Sequence, residues 1–187
     1  MNKIKKDIED GIKLICKKVN LQDLKPGDHI YAYKQYGFYS HHGIYVGGGY
    51  VIHFKSPANK VAILSLSRVE PRTATTCPEC GYRENTGRGV IKTCLDCFRR
   101  DGNTLQSIHY FMYGVPLLSF LLKKRGSCST ITCTRSPEKV VEAAYELLRS
   151  DGFGQYDLTS NNCEHFATYC QTGVRASMQT TLVPLVG

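Results

Sequence analysis

Two short motifs, far apart along the chain, constrain the fold most strongly. Residues 40–47 (SHHGIYVG) combine paired histidines with a β-rich run, and residues 161–166 (NNCEHF) set a cysteine where a helix should begin. A thiol becomes a nucleophile when a histidine base and a helix N-terminus lie next to it. A fold that joins the two motifs therefore brings a cysteine and histidines into one site.

Cys163 stands in the first turn of a predicted helix. Asn161 and Asn162 are good N-caps, apolar residues follow them at helical spacing, and Gly173 is a natural C-terminal stop. Unpaired N–H groups and the helix dipole favour a thiolate there and can hold an oxyanion. A free cysteine is also common as a small buried residue. His165 follows by two positions and points away from the thiol, so a base must come from elsewhere.

Residues 41–53 predict a β-hairpin, with two β-rich runs joined by three glycines. Antiparallel pairing lets His41 and His53 face each other, so that one imidazole acts as the base and the other orients it. His42 lies on the opposite face because strand side chains alternate. Taken singly, each histidine also suits a structural or surface role, and which of His41 and His42 is the base stays open.

A second cysteine pattern lies between the two motifs. Cys77 and Cys80 form one CxxC pair, Cys94 and Cys97 form another, and thirteen residues separate the pairs. Four thiolates at this spacing predict one tetrahedral, structural Zn²⁺ site. Two disulfides or four unrelated thiols are the alternatives. Disulfides suit secretion, but the Lys-rich N-terminus lacks the apolar core of a signal peptide. An intracellular, cytoplasmic chain with reduced cysteines fits the pattern better.

Length and charge indicate the number of domains and the class of binding partner. The 187 residues suit one domain, and the net charge of +8 suits an anionic partner. The basic residues are scattered and no aromatic RNA-binding motif occurs, so an anionic membrane surface is favoured over nucleic acid. Residues 1–20 predict a Lys-rich amphipathic helix that either lies on lipid or packs on the domain. No segment reaches the roughly 20 apolar residues of a transmembrane helix.

Four motifs, in this order, resemble the lecithin:retinol acyltransferase (LRAT) family, which includes the H-rev107 type phospholipid acyltransferases. The motifs are residues 24–30 (LKPGDHI), 41–47 (HHGIYVG), 51–54 (VIHF) and 161–167 (NNCEHFA). The family belongs to the NlpC/P60 superfamily of papain-like thiol enzymes. Animal members have an aromatic residue in place of His42, whereas the double histidine and the cysteine-rich insert are similar to plant-type members.

The resemblance implies an α+β fold: a circularly permuted papain-like core, with an antiparallel sheet packed on helices and an inserted four-cysteine zinc knuckle. The expected organisation is an N-terminal amphipathic helix in residues 1–20, an LRAT-like domain in residues 21–175 and a C-terminal tail in residues 176–187. The zinc-knuckle insert is expected at about residues 75–100.

The resemblance also implies the roles of the site residues. Cys163 is the nucleophile, His41 the general base and His53 the third, polarising residue of an acyltransferase or phospholipase A. Phospholipid acyl esters are the implied substrate, and a Cys163 thioester is the implied intermediate. The N–H of Cys163 is the expected oxyanion donor, with His42 and Tyr45 as further candidates to assist. A cysteine peptidase or amidase of NlpC/P60 type and a non-catalytic, zinc-stabilised interaction module are the alternatives.

Overall fold

A computed structural model describes residues 19–56, 76–83, 87–123 and 126–177 of the chain. Most of the predicted N-terminal helix (1–20) and of the C-terminal tail (176–187) lies outside these ranges. The strands are β1 (His29–Lys34), β2 (Tyr39–Gly47), β3 (Tyr50–Lys55), β4 (Gly89–Cys94), β5 (Arg100–Asp101), β6 (Thr104–Leu105) and β7 (Ile108–Tyr110). The helices are α1 (Leu95–Arg99), α2 (Leu117–Leu121), α3 (Pro137–Ser150) and α4 (Cys163–Thr172), with 3-10 turns at Leu21–Asp23 and Gln35–Gly37.

Five strands form one antiparallel sheet in the order β4-β3-β2-β1-β7, while β5 and β6 pair separately. The predicted α+β class, with an antiparallel sheet packed on helices, is confirmed. No helix in the described ranges is long and apolar enough to cross a membrane.

The predicted hairpin is formed by β2 and β3, in a register that pairs Gly43 with His53 and Ile44 with Ile52. Gly47 at the end of β2, and Gly48 and Gly49 between the strands, all have positive φ, at 90°, 61° and 82°. Glycine adopts this backbone region without a steric penalty, which is why the triple-glycine run makes the turn. The turn sets the register and hence which side chains share a face.

The two faces of the sheet are covered by different helices. On one face, buried residues of the sheet pack with α3 and α4: Ile44, Ile52, Phe54, Val90, Val140, Ala144, Phe153, Phe166, Ala167 and Cys170. On the other face, they pack with α1: Val19, Leu24, Ile30, Ala32, Tyr45, Val51, Phe98 and Ile108. Since neighbouring residues of a strand point to opposite faces, His42 lies on the α4 side and His41 on the α1 side.

Candidate active site

Cys163 is the first residue of α4, and Asn162 caps the helix. The Asn162 Oδ1 accepts hydrogen bonds from the N–H groups of Glu164 at 2.9 Å and His165 at 3.2 Å. In return, the Nδ1 of His165 accepts a hydrogen bond from the Asn162 N–H at 3.2 Å. This reciprocal capping box holds His165 on the cap, so its ring fixes the start of α4.

The thiol of Cys163 is buried against the backbone of β2. Its Sγ donates to the carbonyl oxygen of Ser40 over 3.8 Å, and the N–H of His42 points at the sulfur. Burial raises the pKa of Cys163 to about 11, although the His42 N–H and the Tyr156 hydroxyl act in the opposite direction. The helix N-terminus was expected to favour a thiolate, but loss of hydration outweighs it and the resting group is a neutral thiol.

His41 and His53 face each other across the hairpin on the α1 side. The His41 Nε2 and the His53 Nδ1 are 2.9 Å apart, and the two rings stand at 89° to one another. Phe98 of α1 packs on both rings, with ring centroids 5.3 Å from each. Burial lowers the pKa of His53 to about 3 and the pKa of His41 well below its ordinary value. Both imidazoles are therefore neutral at pH 7.

Gly43 makes room for this pair. A Cβ at Gly43 would lie 2.6 Å from Val51 Cγ1, 3.0 Å from Phe98 Cε2 and 3.1 Å from His53 Cβ. The first of these distances is shorter than carbon atoms approach in proteins, and the other two are tighter than ordinary packing contacts. The absence of a side chain at Gly43 thus allows Phe98 to pack against the rings of His41 and His53.

His42 belongs to a separate network on the α4 side. Its Nε2 is 2.9 Å from Ser40 Oγ and its Nδ1 is 2.9 Å from His29 Nε2, while His29 Nδ1 is 2.7 Å from the Tyr113 hydroxyl. Ser40 Oγ donates in turn to the carbonyl oxygen of Gly126 at 3.2 Å. Both ring nitrogens of His42 have partners, and burial lowers its pKa to about 3. The ring of His42 therefore has both nitrogens in hydrogen bonds to other residues. Its backbone N–H is the group that contacts the thiol of Cys163.

The structure brings the histidine pair together and sets Cys163 beside the same strand, on the backbone groups that flank His41. Among the hydrogen bonds of the described residues, Cys163 has none to an imidazole nitrogen. The thiol therefore contacts the segment of β2 that carries its predicted base. It makes no direct hydrogen bond to that base in this resting arrangement.

Tyr45, the hydroxyl expected to assist at the oxyanion, has a hydrogen-bond partner at the turn. Its hydroxyl accepts a hydrogen bond from the Gly49 N–H at 3.1 Å, at the turn end of β2, four residues beyond His41. The Tyr156 hydroxyl lies near the cysteine and interacts with both the thiol and the N–H of Cys163. Burial, and then the charge of a Cys163 thiolate, raise the pKa of Tyr156 well above its ordinary value. The only sequence signal for Tyr156 is its position shortly before the cysteine motif.

The four cysteines predicted as metal ligands converge at one edge of the sheet. The Sγ atoms of Cys77, Cys80, Cys94 and Cys97 all lie within 4.8 Å of one another. The Sγ atoms of Cys77 and Cys94 are 3.9 Å apart, and those of Cys80 and Cys97 are 3.7 Å apart. A tetrahedral metal with metal–sulfur bonds of about 2.3 Å places sulfurs about 3.8 Å apart, whereas a disulfide requires about 2.05 Å. The cluster fits a metal ion, and the described cysteines form no disulfide.

The second cysteine pair belongs to the main sheet. Cys94 is the last residue of β4, which pairs with β3 along its whole length, and Cys97 lies in α1. Phe98, which covers the histidine pair, is the next residue of α1. Residues 89–99 of the predicted insert thus connect the cysteine cluster directly to the candidate active site.

Comparison with known proteins places the chain in a family. The family model described as lecithin retinol acyltransferase matches residues 22–176. The chain is 40% identical over 167 residues to protein LEAD-SENSITIVE 1 of Arabidopsis thaliana, a match that covers 86% of this chain and 62% of that protein. The chain therefore spans less than two thirds of the length of this relative.

Two human proteins are more distant relatives. The chain is 28% identical over 155 residues to phospholipase A and acyltransferase 3, covering 83% of this chain and 75% of that protein. It is 29% identical over 145 residues to phospholipase A and acyltransferase 2, covering 76% of this chain and 68% of that protein. Because the family model matches most of the residues, including both histidine strands and the cysteine helix, the chain belongs to the lecithin retinol acyltransferase family.

Proposed function

We propose that this protein is a cysteine-dependent acyltransferase and phospholipase A that acts on phospholipid acyl esters. The family match and the names of the two human relatives support acyl-transfer chemistry. One observation carries the proposal for this chain: Cys163 begins α4 and touches β2 on both sides of His41, which is itself bonded to His53. This arrangement supplies a nucleophile, a base and a partner for the base.

His41 is the proposed general base. Its Nε2 is bonded to His53, and among the described residues Nδ1 has no hydrogen-bond partner, so this nitrogen can accept a proton. Both Cys163 and His41 are neutral at rest, so the proton moves from Sγ to Nδ1 as the sulfur attacks the ester carbonyl carbon. The ester C–O bond then breaks, the same proton passes to the lysophospholipid oxygen, and a thioester remains on Cys163.

The thioester is resolved by a second acceptor. Attack by water gives a free fatty acid and corresponds to phospholipase activity, whereas attack by an alcohol or amine corresponds to acyl transfer. In both steps the negative charge on the carbonyl oxygen is stabilised by the N–H of Cys163 at the start of α4 and by the Tyr156 hydroxyl.

The papain-like, circularly permuted arrangement of NlpC/P60 enzymes is part of the proposal. It is supported by the order of the elements, because the hairpin with His41 and His53 precedes the helix that begins with Cys163. The helix packs on the strand that carries the base, as a nucleophile helix must.

The cysteine cluster is proposed to hold one structural Zn²⁺. Four thiolates complete a tetrahedral shell and leave no open position for substrate, so the ion would act through structure. Held by Cys77, Cys80, Cys94 and Cys97, it would tie the segment 76–83 to the end of β4 and to α1.

An anionic membrane surface is the proposed place of action of an intracellular, cytoplasmic enzyme. An apolar patch on and after α2 is unusually exposed, at 66% for Leu117, 73% for Leu118, 68% for Leu121 and 77% for Leu122. Contiguous exposed leucines next to Lys123 suit insertion at the interface of anionic lipid, as does the net charge of +8. A few residues further along the chain, the carbonyl oxygen of Gly126 accepts a hydrogen bond from the hydroxyl of Ser40, the residue whose own carbonyl oxygen contacts the thiol.

Intact-protein mass spectrometry tests the function directly. After incubation with phosphatidylcholine vesicles, the wild-type protein should gain one fatty-acyl mass, and Cys163→Ala should gain none. Cys133→Ser is the matched control, since this cysteine is exposed and lies outside both sites. No acyl adduct on folded wild-type protein, together with cleavage of a peptide amide, would instead favour a peptidase or amidase.

A further inference from the structure

A buried hydroxyl lies at the far end of the histidine pair. Thr93 of β4 is fully buried, and its Oγ1 lies 3.1 Å from His53 Nε2. The same Oγ1 lies 3.2 Å from the carbonyl oxygen of Cys94. Thr93 pairs with Val51 in the sheet, so its side chain shares the α1 face with His53.

The donors and acceptors of this chain of contacts can be assigned in one way. The Cys94 carbonyl oxygen can only accept, so the Thr93 hydroxyl donates to it and Oγ1 accepts from His53 Nε2–H. A neutral imidazole carries one N–H, so His53 Nδ1 is an acceptor and receives the Nε2–H of His41. His41 Nδ1 is then left without a proton.

We infer that Thr93 is a positioning residue that holds His41 and His53 as Nε2–H tautomers and so keeps Nδ1 of His41 ready to act as the base. This inference rests on the proposed function of His41. Without the hydroxyl, His53 Nε2–H would be buried with no acceptor, which disfavours that tautomer. The alternative tautomer of His53 donates from Nδ1, so His41 would carry its proton on Nδ1 and present no basic nitrogen to Cys163.

Thr93 also links the cysteine cluster to the histidine pair. Cys94 supplies the carbonyl acceptor for Thr93, and its Sγ is one of the four clustered sulfurs. The end of β4 therefore places the hydroxyl with respect to His53. The cysteine-rich insert was expected to be structural only. Its strand β4 thus orients His41 through two hydrogen bonds, between Thr93 and His53 and between His53 and His41.

The test compares Thr93→Val, which keeps the shape and removes the hydroxyl, with Thr93→Ser, which keeps the hydroxyl. Thr168→Val is the matched control, because Thr168 is equally buried but lies in α4. Long-range ¹H–¹⁵N spectra of the histidine rings at pH 7 should show Nε2–H tautomers for His41 and His53 in the wild type, Thr93→Ser and Thr168→Val. Thr93→Val should convert His41 to the Nδ1–H form.

Kinetics gives the second readout. Thr93→Val should slow acylation of Cys163 by about 100-fold or more, the usual contribution of a general base, and Thr93→Ser should restore most of the rate. An Nδ1–H tautomer of His41 in the wild type, or unchanged tautomers in folded Thr93→Val, would overturn the inference. If Thr93→Val does not fold, the wild-type and Thr93→Ser tautomers decide. Correct tautomers in a wild type that forms no acyl adduct would refute the proposed function and leave the assignment of Thr93 intact.

Discussion

The Sγ of Cys163 lies 3.8 Å from the carbonyl oxygen of Ser40, the strand position directly before His41. The backbone N–H that points at the same sulfur comes from His42, directly after His41. The thiol of the proposed nucleophile is thus held by the main chain of the strand that carries the proposed base. Backbone contacts tie the thiol to β2, whereas the His41 ring makes its hydrogen bond to His53.

The two adjacent histidines should behave differently when each is replaced by glutamine. His41→Gln removes the proposed base, so acylation of Cys163 should fall by about 100-fold or more, while the protein stays folded. His42→Gln should mainly reduce the free energy of unfolding, by about 1–3 kcal/mol, because His29 and Ser40 lose a buried partner. Acyl-adduct kinetics and urea unfolding of both variants check this, and equal losses of acylation rate would contradict it.

The hairpin and the ends of α4 could be predicted from sequence because their signals are local. Three glycines set the turn, and Asn162 and Gly173 mark the helix ends, so each signal acts within a few residues. Thr93 and Tyr156 could not be found this way. Their importance depends on the pairing of β4 with β3 and on the path of the loop before α4, and neither leaves a pattern in the sequence.

The protonation state of Cys163 was also beyond sequence reasoning. A helix N-terminus predicts a lowered thiol pKa, but burial acts in the opposite direction and is the larger effect here. Burial depends on how completely α4 packs against β2, which the motif alone does not encode. The same packing keeps the rings of His41, His42 and His53 neutral.

Stability should fall when the pH decreases from 6.5 towards 3. The pKa values of His42 and His53 are about 3 in the folded protein, whereas an unfolded histidine titrates near 6.5. Below pH 6.5 the unfolded chain therefore binds more protons, and each of the two histidines should remove about 2 kcal/mol of stability by pH 5. Urea unfolding at pH 7.5 and pH 5.0 measures the difference. His42→Gln should show a smaller pH effect than wild type, and pH-independent stability of the wild type would contradict the neutral, buried state.

The cysteine cluster should contain one zinc ion per chain and contribute to folding. Cys94→Ser, or removal of the metal by a chelator, should lower the melting temperature, because the end of β4 and the segment 76–83 lose their connection. Cys133→Ser lies outside the cluster and should keep both the metal and the melting temperature. Elemental analysis and thermal unfolding give the answer. Protein without metal, and with four fewer titratable thiols under non-reducing conditions, would indicate disulfides instead.

The leucines on and after α2 should mediate binding to anionic membranes. Replacing Leu117, Leu118, Leu121 and Leu122 by glutamine should strongly reduce cosedimentation with phosphatidylserine-containing vesicles, because the apolar area that enters the lipid is lost. Since these side chains are 66–77% exposed, the melting temperature should stay unchanged. Leu105→Gln and Leu158→Gln are matched controls, at 44% and 53% exposure outside the patch, and should bind vesicles like the wild type.

The acyl adduct formed with soluble short-chain esters separates membrane binding from chemistry. The four-leucine variant should acylate Cys163 from a short-chain ester at the wild-type rate, and only its reaction with vesicles should slow down. A variant that fails equally with both substrates would place the leucines in the active site rather than at the membrane. Unchanged vesicle binding would instead show that another surface makes the lipid contact, and the contribution of the +8 net charge would then be tested by raising the salt concentration.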